Sequence, residues 1–287
     1  MTTWTGAAPP PAGRIGPAGW LRAALRGAAV LAVTFGGLGL MLLLRLAEAP
    51  LFAPRRPLTP WITVAVCRID LLILGLRLRV SGAPVTGRGA AVANHAGWLD
   101  ILVLNACQRL CFVSKAEVAR WPGIGWLARA TGTVFIARDP KAAAAQQRLL
   151  ADRLRAGDHL LFFPEGTSTD GLRVLPFKPT LFEAFMAEGV RDALAIQPVS
   201  VTYRAPEGED ARFYAWWGDM DFAPHAARVM AALRRGTVEV VFHPPLRAGA
   251  FASRKALAAA CEAAVRSGFR GGADGAGGAD GGGGGAA

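Results

Sequence analysis

A chain of 287 residues suffices for one large domain with appendages. Its 52% hydrophobic content and mean hydropathy of +0.30 argue against a purely soluble protein. A net charge of +11 points to nucleic acid or an anionic membrane surface as partner. No nucleic-acid-binding motif is present and the cations are scattered among apolar segments, so the membrane is the better reading.

Residues 1–20, rich in Pro, Gly and Ala, read as a flexible lead-in. Gly27 to Leu44 then runs 18 residues without a charge, between Arg22 and Arg26 on one side and Arg45 on the other. That is about the shortest stretch able to span a bilayer. Ala47-Glu48-Ala49 mimics a signal-peptide cleavage site, but the charged lead-in is long and Pro50 would follow the cut. After a Pro-rich break, Trp61 to Leu78 is apolar except for Arg68 and Asp70, which suits an interfacial helix or a hairpin partner. A single span and a re-entrant pair both fit, so 21–80 reads as membrane-anchoring helices.

From Ser81 onward strands alternate with helices. Strands are expected at 90–93, 110–113, 133–137, 159–163, 195–203 and 237–242, and helices at 99–107, 123–130, 141–155, 179–188 and 253–266. Such alternation implies an α/β fold over 81–270, a single mixed sheet covered by helices. From 271 to 287 the Gly/Ala-rich tail has nothing to bury and reads as disordered. The four cysteines lie in apolar or Ala-rich surroundings and suit core thiols. Neither they nor His225 and His243 have metal-ligand spacing, so no metal is assigned.

Three stretches carry possible chemistry. Asn94-His95-Ala96-Gly97-Trp98-Leu99-Asp100 joins a short strand to a helix. A neutral imidazole can take a proton near neutral pH, and a carboxylate can fix its tautomer. Residues five apart diverge by about 140° on a helix, so the two meet only if His95 sits in the turn and the chain bends back. Taken alone, such a pair also suits a loop histidine capped by its neighbour. Phe162-Phe163-Pro164-Glu165-Gly166-Thr167-Ser168-Thr169-Asp170-Gly171 is an apolar strand ending in a Pro-Glu-Gly turn followed by a cluster of hydroxyls, of which Thr167 and Ser168 could bind an acceptor. Gly132 to Arg138 is a strand that delivers an arginine, suited to a phosphate or carboxylate, although Asp139 is an obvious surface partner. There is no G-x-S-x-G elbow.

Together and in this order, over roughly 80–245, these stretches resemble the glycerolipid acyltransferase family. Asn94-His95-x4-Asp100, Gly132-x-x-Phe135-Ile136-x-Arg138 and Phe163-Pro164-Glu165-Gly166-Thr167 resemble three of its motifs, and Pro176-Phe177-Lys178 and Ile196-Gln197-Pro198-Val199 the segments that follow. The resemblance implies His95 and Asp100 as catalytic residues and Asn94, Arg138, Glu165, Gly166, Thr167, Ser168 and Lys178 as substrate-binding residues. His95 would act as general base on an acceptor hydroxyl that attacks acyl-CoA or an acyl carrier protein thioester, with amides of the strand–helix turn as oxyanion donors. No acyl-enzyme and no cofactor is required. The expected acceptor is 1-acyl-sn-glycerol-3-phosphate, giving phosphatidic acid. One departure opens an alternative: the family commonly continues its F-P-E-G-T with Arg, where this chain has Ser168. The loss of that guanidinium suits lyso-ornithine lipid, with Arg138 and Lys178 left as possible phosphate contacts. A membrane thioesterase or lipase and a non-catalytic lipid-binding protein are the more distant readings. The expected setting is the cytoplasmic membrane, with the catalytic domain facing the cytoplasm.

Overall fold

The computed structural model describes residues 3–10, 13–52, 56–86, 89–137 and 140–271. Two N-terminal helices, α1 (Pro17–Phe52) and α2 (Thr59–Leu74), pack as a hairpin. Its turn is closed by Glu48, whose carboxylate accepts the Leu58 and Thr59 N–H groups and the Thr59 hydroxyl. α1 begins at Pro17, inside the stretch expected as lead-in. α2 ends short of Leu78 at Gly75, whose φ of 72° and backbone N–H cap the carbonyls of Leu71 and Leu72. The rest of that apolar segment enters strand β1 (Arg77–Ser81), an element the hydropathy pattern merged with α2.

The elements that follow are β2 (Gly89–Ala93), α3 (Leu99–Cys107), β3 (Cys111–Lys115), α4 (Ile124–Ala130), β4 (Val134–Ile136), α5 (Ala143–Arg155) and β5 (Leu160–Phe162). β6 (Ala195–Arg204), α6 (Phe222–Ala231), β7 (Thr237–Phe242), β8 (Leu246–Arg247) and α7 (Arg254–Gly268) complete the fold. The helix expected over 179–188 is a 3-10 helix, Pro179–Met186, while α6 and β8 were not among the expected elements. One eight-stranded sheet runs β1-β7-β6-β2-β5-β3-β4, with β8 on β6. β6, β2, β5, β3 and β4 are mutually parallel, and β7 is antiparallel to β6. The sheet is therefore single, mixed and covered by helices, as the alternation implied.

Alternate strand residues feed two cores. Ala91, Ala93, Leu161 and Val201 face α2 and α3, where Leu71, Leu99 and Val103 pack. Ala90, Val92, Leu160 and Phe162 face α5, α7 and the 3-10 helix through Leu154, Leu257 and Phe185. With both faces covered, β2 and β5 read as unbroken apolar runs.

α1 carries one 18-residue window apolar enough to cross a membrane, and only 6% of that window is buried. Leu21, Leu25, Leu43, Leu46 and, on α2, Leu72 are each more than 60% exposed. Both ends of α1 are nevertheless tied to the α/β domain. Arg22 donates to the Ala231 carbonyl at 3.0 Å, Arg26 to those of Met230 and Ala232 at 3.0 and 2.7 Å, and Arg45 to Ala130 at 2.6 Å.

Candidate active site

β2 and β5 lie side by side and parallel, so the two most informative motifs emerge together from the carboxyl ends of adjacent strands. That edge of an α/β sheet is where ligands bind. His95 occupies the turn and Asp100 the first turn of α3, whose side chain reaches back. Asp100 Oδ2 lies 2.7 Å from His95 Nδ1 and accepts the N–H groups of Ala96 and Gly97 at 2.7 and 3.0 Å. The two residues meet because the chain bends back at His95, the condition that their spacing set. Asp100 is fully buried and its acceptor-only carboxylate fixes the proton on Nδ1, leaving the Nε2 lone pair outward. The His95 side chain is 22% exposed and stacks on Phe163 at 4.0 Å between ring centroids.

Tyr203, at the far end of β6, donates its hydroxyl to Asp100 Oδ1 at 2.7 Å. Burial, then the Asp100 charge, pushes the phenol well above its usual range, so it stays a donor. Gly97 is required for space: a Cβ there would lie 2.9 Å from the Trp216 backbone nitrogen, which donates to the Ala96 carbonyl.

Glu165 is 1% exposed. Its Oε1 accepts the His95 N–H and its Oε2 the Leu175 N–H, both at 2.8 Å. Burial pushes this carboxyl up to about 8, against the pull of those two bonds. Glu165, expected among the substrate-binding residues, here clamps the backbone of the base. Gly166 completes the turn with a φ of 71° and an N–H bonded to the Phe163 carbonyl at 2.9 Å. Thr169, a member of the same hydroxyl cluster to which the sequence assigned no role, donates its N–H to the His95 carbonyl at 2.9 Å.

Asn94, expected among the substrate-binding residues, has its amide engaged by the sheet. Its amide donates to the Val201 carbonyl and accepts the Val201 N–H, each at 2.8 Å, extending the β2–β6 ladder by one side-chain pair. Asn94→Ala leaves both Val201 groups buried and unpaired, and a loss of about 2–4 kcal/mol in denaturant unfolding is expected. The N–H groups of His95, Ala96 and Gly97 are all engaged by Glu165 and Asp100, so none of the three is left for the oxyanion expected at this turn.

Thr167 and Ser168 stay at the site. The Thr167 hydroxyl accepts the Trp4 N–H at 3.1 Å, and Ser168 is half-buried. Lys178 is half-buried where its backbone N–H meets the Pro164 carbonyl. Arg138 and Asp139 lie outside the described residues, as does the tail beyond Gly271. β4, which leads to Arg138, stands three strand spacings from β2, about 14 Å. Elsewhere Ser200 Oγ lies 2.8 Å from His243 Nε2, but that hydroxyl donates to the Val265 carbonyl and is fully buried, which disqualifies it as a nucleophile. Among the described residues, no group of three or more His, Cys, Asp or Glu could hold a metal ion.

A buried carboxylate, an oriented histidine and a hydroxyl-lined glycine turn are the parts of a base-catalysed group transfer. Residues 77–202 match the Acyltransferase family model. The chain is 64% identical over 265 residues to the lyso-ornithine lipid O-acyltransferase of Rhodobacter capsulatus, covering 92% of this chain and 96% of that one. The chain belongs to the glycerolipid acyltransferase family. This O-acyltransferase is also 34% identical over 131 residues to the 1-acyl-sn-glycerol-3-phosphate acyltransferase of Neisseria gonorrhoeae, 45% of this chain and 51% of that one. Its fold is shared with the 1-acyl-sn-glycerophosphate acyltransferase PlsC of Thermotoga maritima, at a TM-score of 0.63 and 21% identity over 88% of this chain and 93% of that one.

Proposed function

We propose that the protein transfers a fatty acyl group from a thioester, acyl-CoA or acyl carrier protein, to the hydroxyl of lyso-ornithine lipid. This reverses the order in which the sequence ranked the two acceptors. The observation that carries it is the 64% identity, over almost the full length of both chains, to an enzyme named for that acceptor. Ser168 supports it, since the turn brings a hydroxyl where a phosphate would call for a cation.

His95 Nε2 takes the proton of the acceptor hydroxyl as its oxygen attacks the thioester carbonyl. Asp100 stabilises the imidazolium that forms, held in place by Tyr203 and the two turn amides. Collapse of the tetrahedral intermediate breaks the carbon–sulfur bond, and His95 returns the proton to the departing thiolate. The products are an ester and a free thiol, and no residue is acylated.

The tethering of α1 supports an interfacial anchor over a span. Arg22 and Arg45 are separated by about 34 Å of helix, more than the roughly 30 Å hydrocarbon core, yet both bond to the same α/β domain. A helix crossing the bilayer would carry its two ends to opposite sides. The exposed leucines of α1 and α2 then lie in one leaflet, with the α/β domain on the cytoplasmic face.

Purified protein offered lyso-ornithine lipid and lysophosphatidic acid, with the products identified by mass spectrometry, tests the acceptor. Predominant acylation of lyso-ornithine lipid is expected. Predominant phosphatidic acid overturns it, and thioester loss that needs no acceptor would instead identify a thioesterase. Ser168→Arg is expected to shift the preference towards lysophosphatidic acid by about tenfold or more.

A further inference from the structure

The proposed acceptor makes a demand that the catalytic pair leaves unmet. Ornithine has two amines and one carboxylate. Acylating one amine leaves a head group with a carboxylate, an ammonium and no phosphate. It has no hydroxyl of its own, so the hydroxyl to be esterified sits on the fatty chain, and the carboxylate must be received elsewhere on the site. Guanidinium is the group best matched to it.

We propose that Arg173 receives this carboxylate and forms, with Trp4 and Thr167, the head-group end of the acceptor site; this rests on the lyso-ornithine reading above. Arg173 is fixed from beneath. Its Nε and Nη2 donate to Oδ1 and Oδ2 of Asp170 at 3.1 and 2.9 Å, and Asp170 is 1% exposed, out of reach of substrate. That side-on pair uses one edge of the guanidinium. Nη1 and the outer hydrogen of Nη2 face away from Asp170, and the side chain is 50% exposed. The guanidinium carbon stands 5.2 Å from the ring centroid of Trp4, whose backbone N–H donates to the Thr167 hydroxyl. Trp4 is itself held, 6.3 Å from Trp217.

The arginine is also coupled to the base. The Thr169 hydroxyl lies 3.3 Å from the carbonyl oxygens of both His95 and Arg173, so the two backbones share one hinge point. A surface arginine has no need of a buried carboxylate, an aromatic floor and a hydrogen-bonded link to the catalytic turn. Because the ornithine head is a zwitterion, docking it on the Asp170–Arg173 pair brings no net charge.

Lyso-ornithine lipid and its methyl ester, which lacks the carboxylate charge, form a cycle with the unchanged protein and Arg173→Gln. The unchanged protein is expected to lose roughly 10- to 100-fold in kcat/KM on going from acid to ester. Arg173→Gln is expected to show a similar loss on the acid and no further loss on the ester, and Arg173→Lys to recover part of it. A variant that keeps the acid-to-ester ratio overturns the inference, whatever its overall activity, because misfolding lowers both rates alike. Equal use of acid and ester by the unchanged protein overturns it as well, with the acceptor reading intact. Failure to acylate lyso-ornithine lipid at all overturns that reading, and this one with it.

Discussion

Replacing His95 with alanine is expected to lower turnover by about 10²–10⁴-fold, the usual contribution of a positioned base, without loss of the fold. The second half of that expectation follows from the hydrogen bonds. Asp100 keeps the Ala96 and Gly97 N–H groups and the Tyr203 hydroxyl when the imidazole is gone, so no buried charge is orphaned. Asp100→Asn gives the sharper comparison. An amide whose oxygen takes the Oδ2 position still accepts three donors, and the Tyr203 hydroxyl can rotate to accept from its nitrogen. What disappears is the charge that stabilises the imidazolium. Turnover is expected to fall steeply while the thermal midpoint holds. Near-normal turnover in purified His95→Ala would sink the mechanism.

The largest stability effect is expected at Glu165. Glu165→Ala leaves the N–H groups of His95 and Leu175 buried without an acceptor, at roughly 1–3 kcal/mol each. Unfolding in denaturant measures the loss, and it should be accompanied by a fall in kcat because the base loses its backbone anchor. The carboxyl also confers a pH dependence. Its folded value of about 8 lies above the 4.5 of an ordinary glutamate, so between those values the folded state holds a proton that the unfolded chain has released. Stability from this group is complete below about 4.5 and declines as pH rises through 8, with a slope of up to about 1.4 kcal/mol per pH unit. The difference in unfolding free energy between the unchanged protein and Glu165→Gln, followed from pH 5 to 9, should carry that slope. A flat difference shows that Glu165 is already ionised in the folded protein.

The fold was legible where periodicity is local. The expected strands at 90–93, 195–203 and 237–242 match β2, β6 and β7 within a residue, because β2 and β6 are buried on both faces and β7 alternates buried with half-buried residues. The condition for His95 to meet Asp100, a bend that leaves His95 in the turn, was legible too, because residues five apart on a helix diverge. What the sequence hid depends on which strands become neighbours. Tyr203 lies 103 residues from Asp100 and reaches it only because β6 pairs with β2. Asn94 reads as a polar residue beside a base until the Val201 backbone is found opposite it. Glu165 shows itself as a motif carboxylate, yet its role as a clamp follows from β5 lying against β2. Trp4, within a stretch whose composition suggests a flexible lead-in, is held by Thr167 and Trp217, contacts that composition does not encode.

The arginine ties at the two ends of α1 have a kinetic consequence. They tie the apolar helix to the domain that carries the catalytic histidine, so on the interfacial reading His95 meets its acceptor at a set depth. Search for substrate is then two-dimensional, by lateral diffusion within one leaflet. At fixed enzyme coverage, the rate should follow the mole fraction of acceptor in the surface and be indifferent to its bulk concentration when inert lipid is added in proportion.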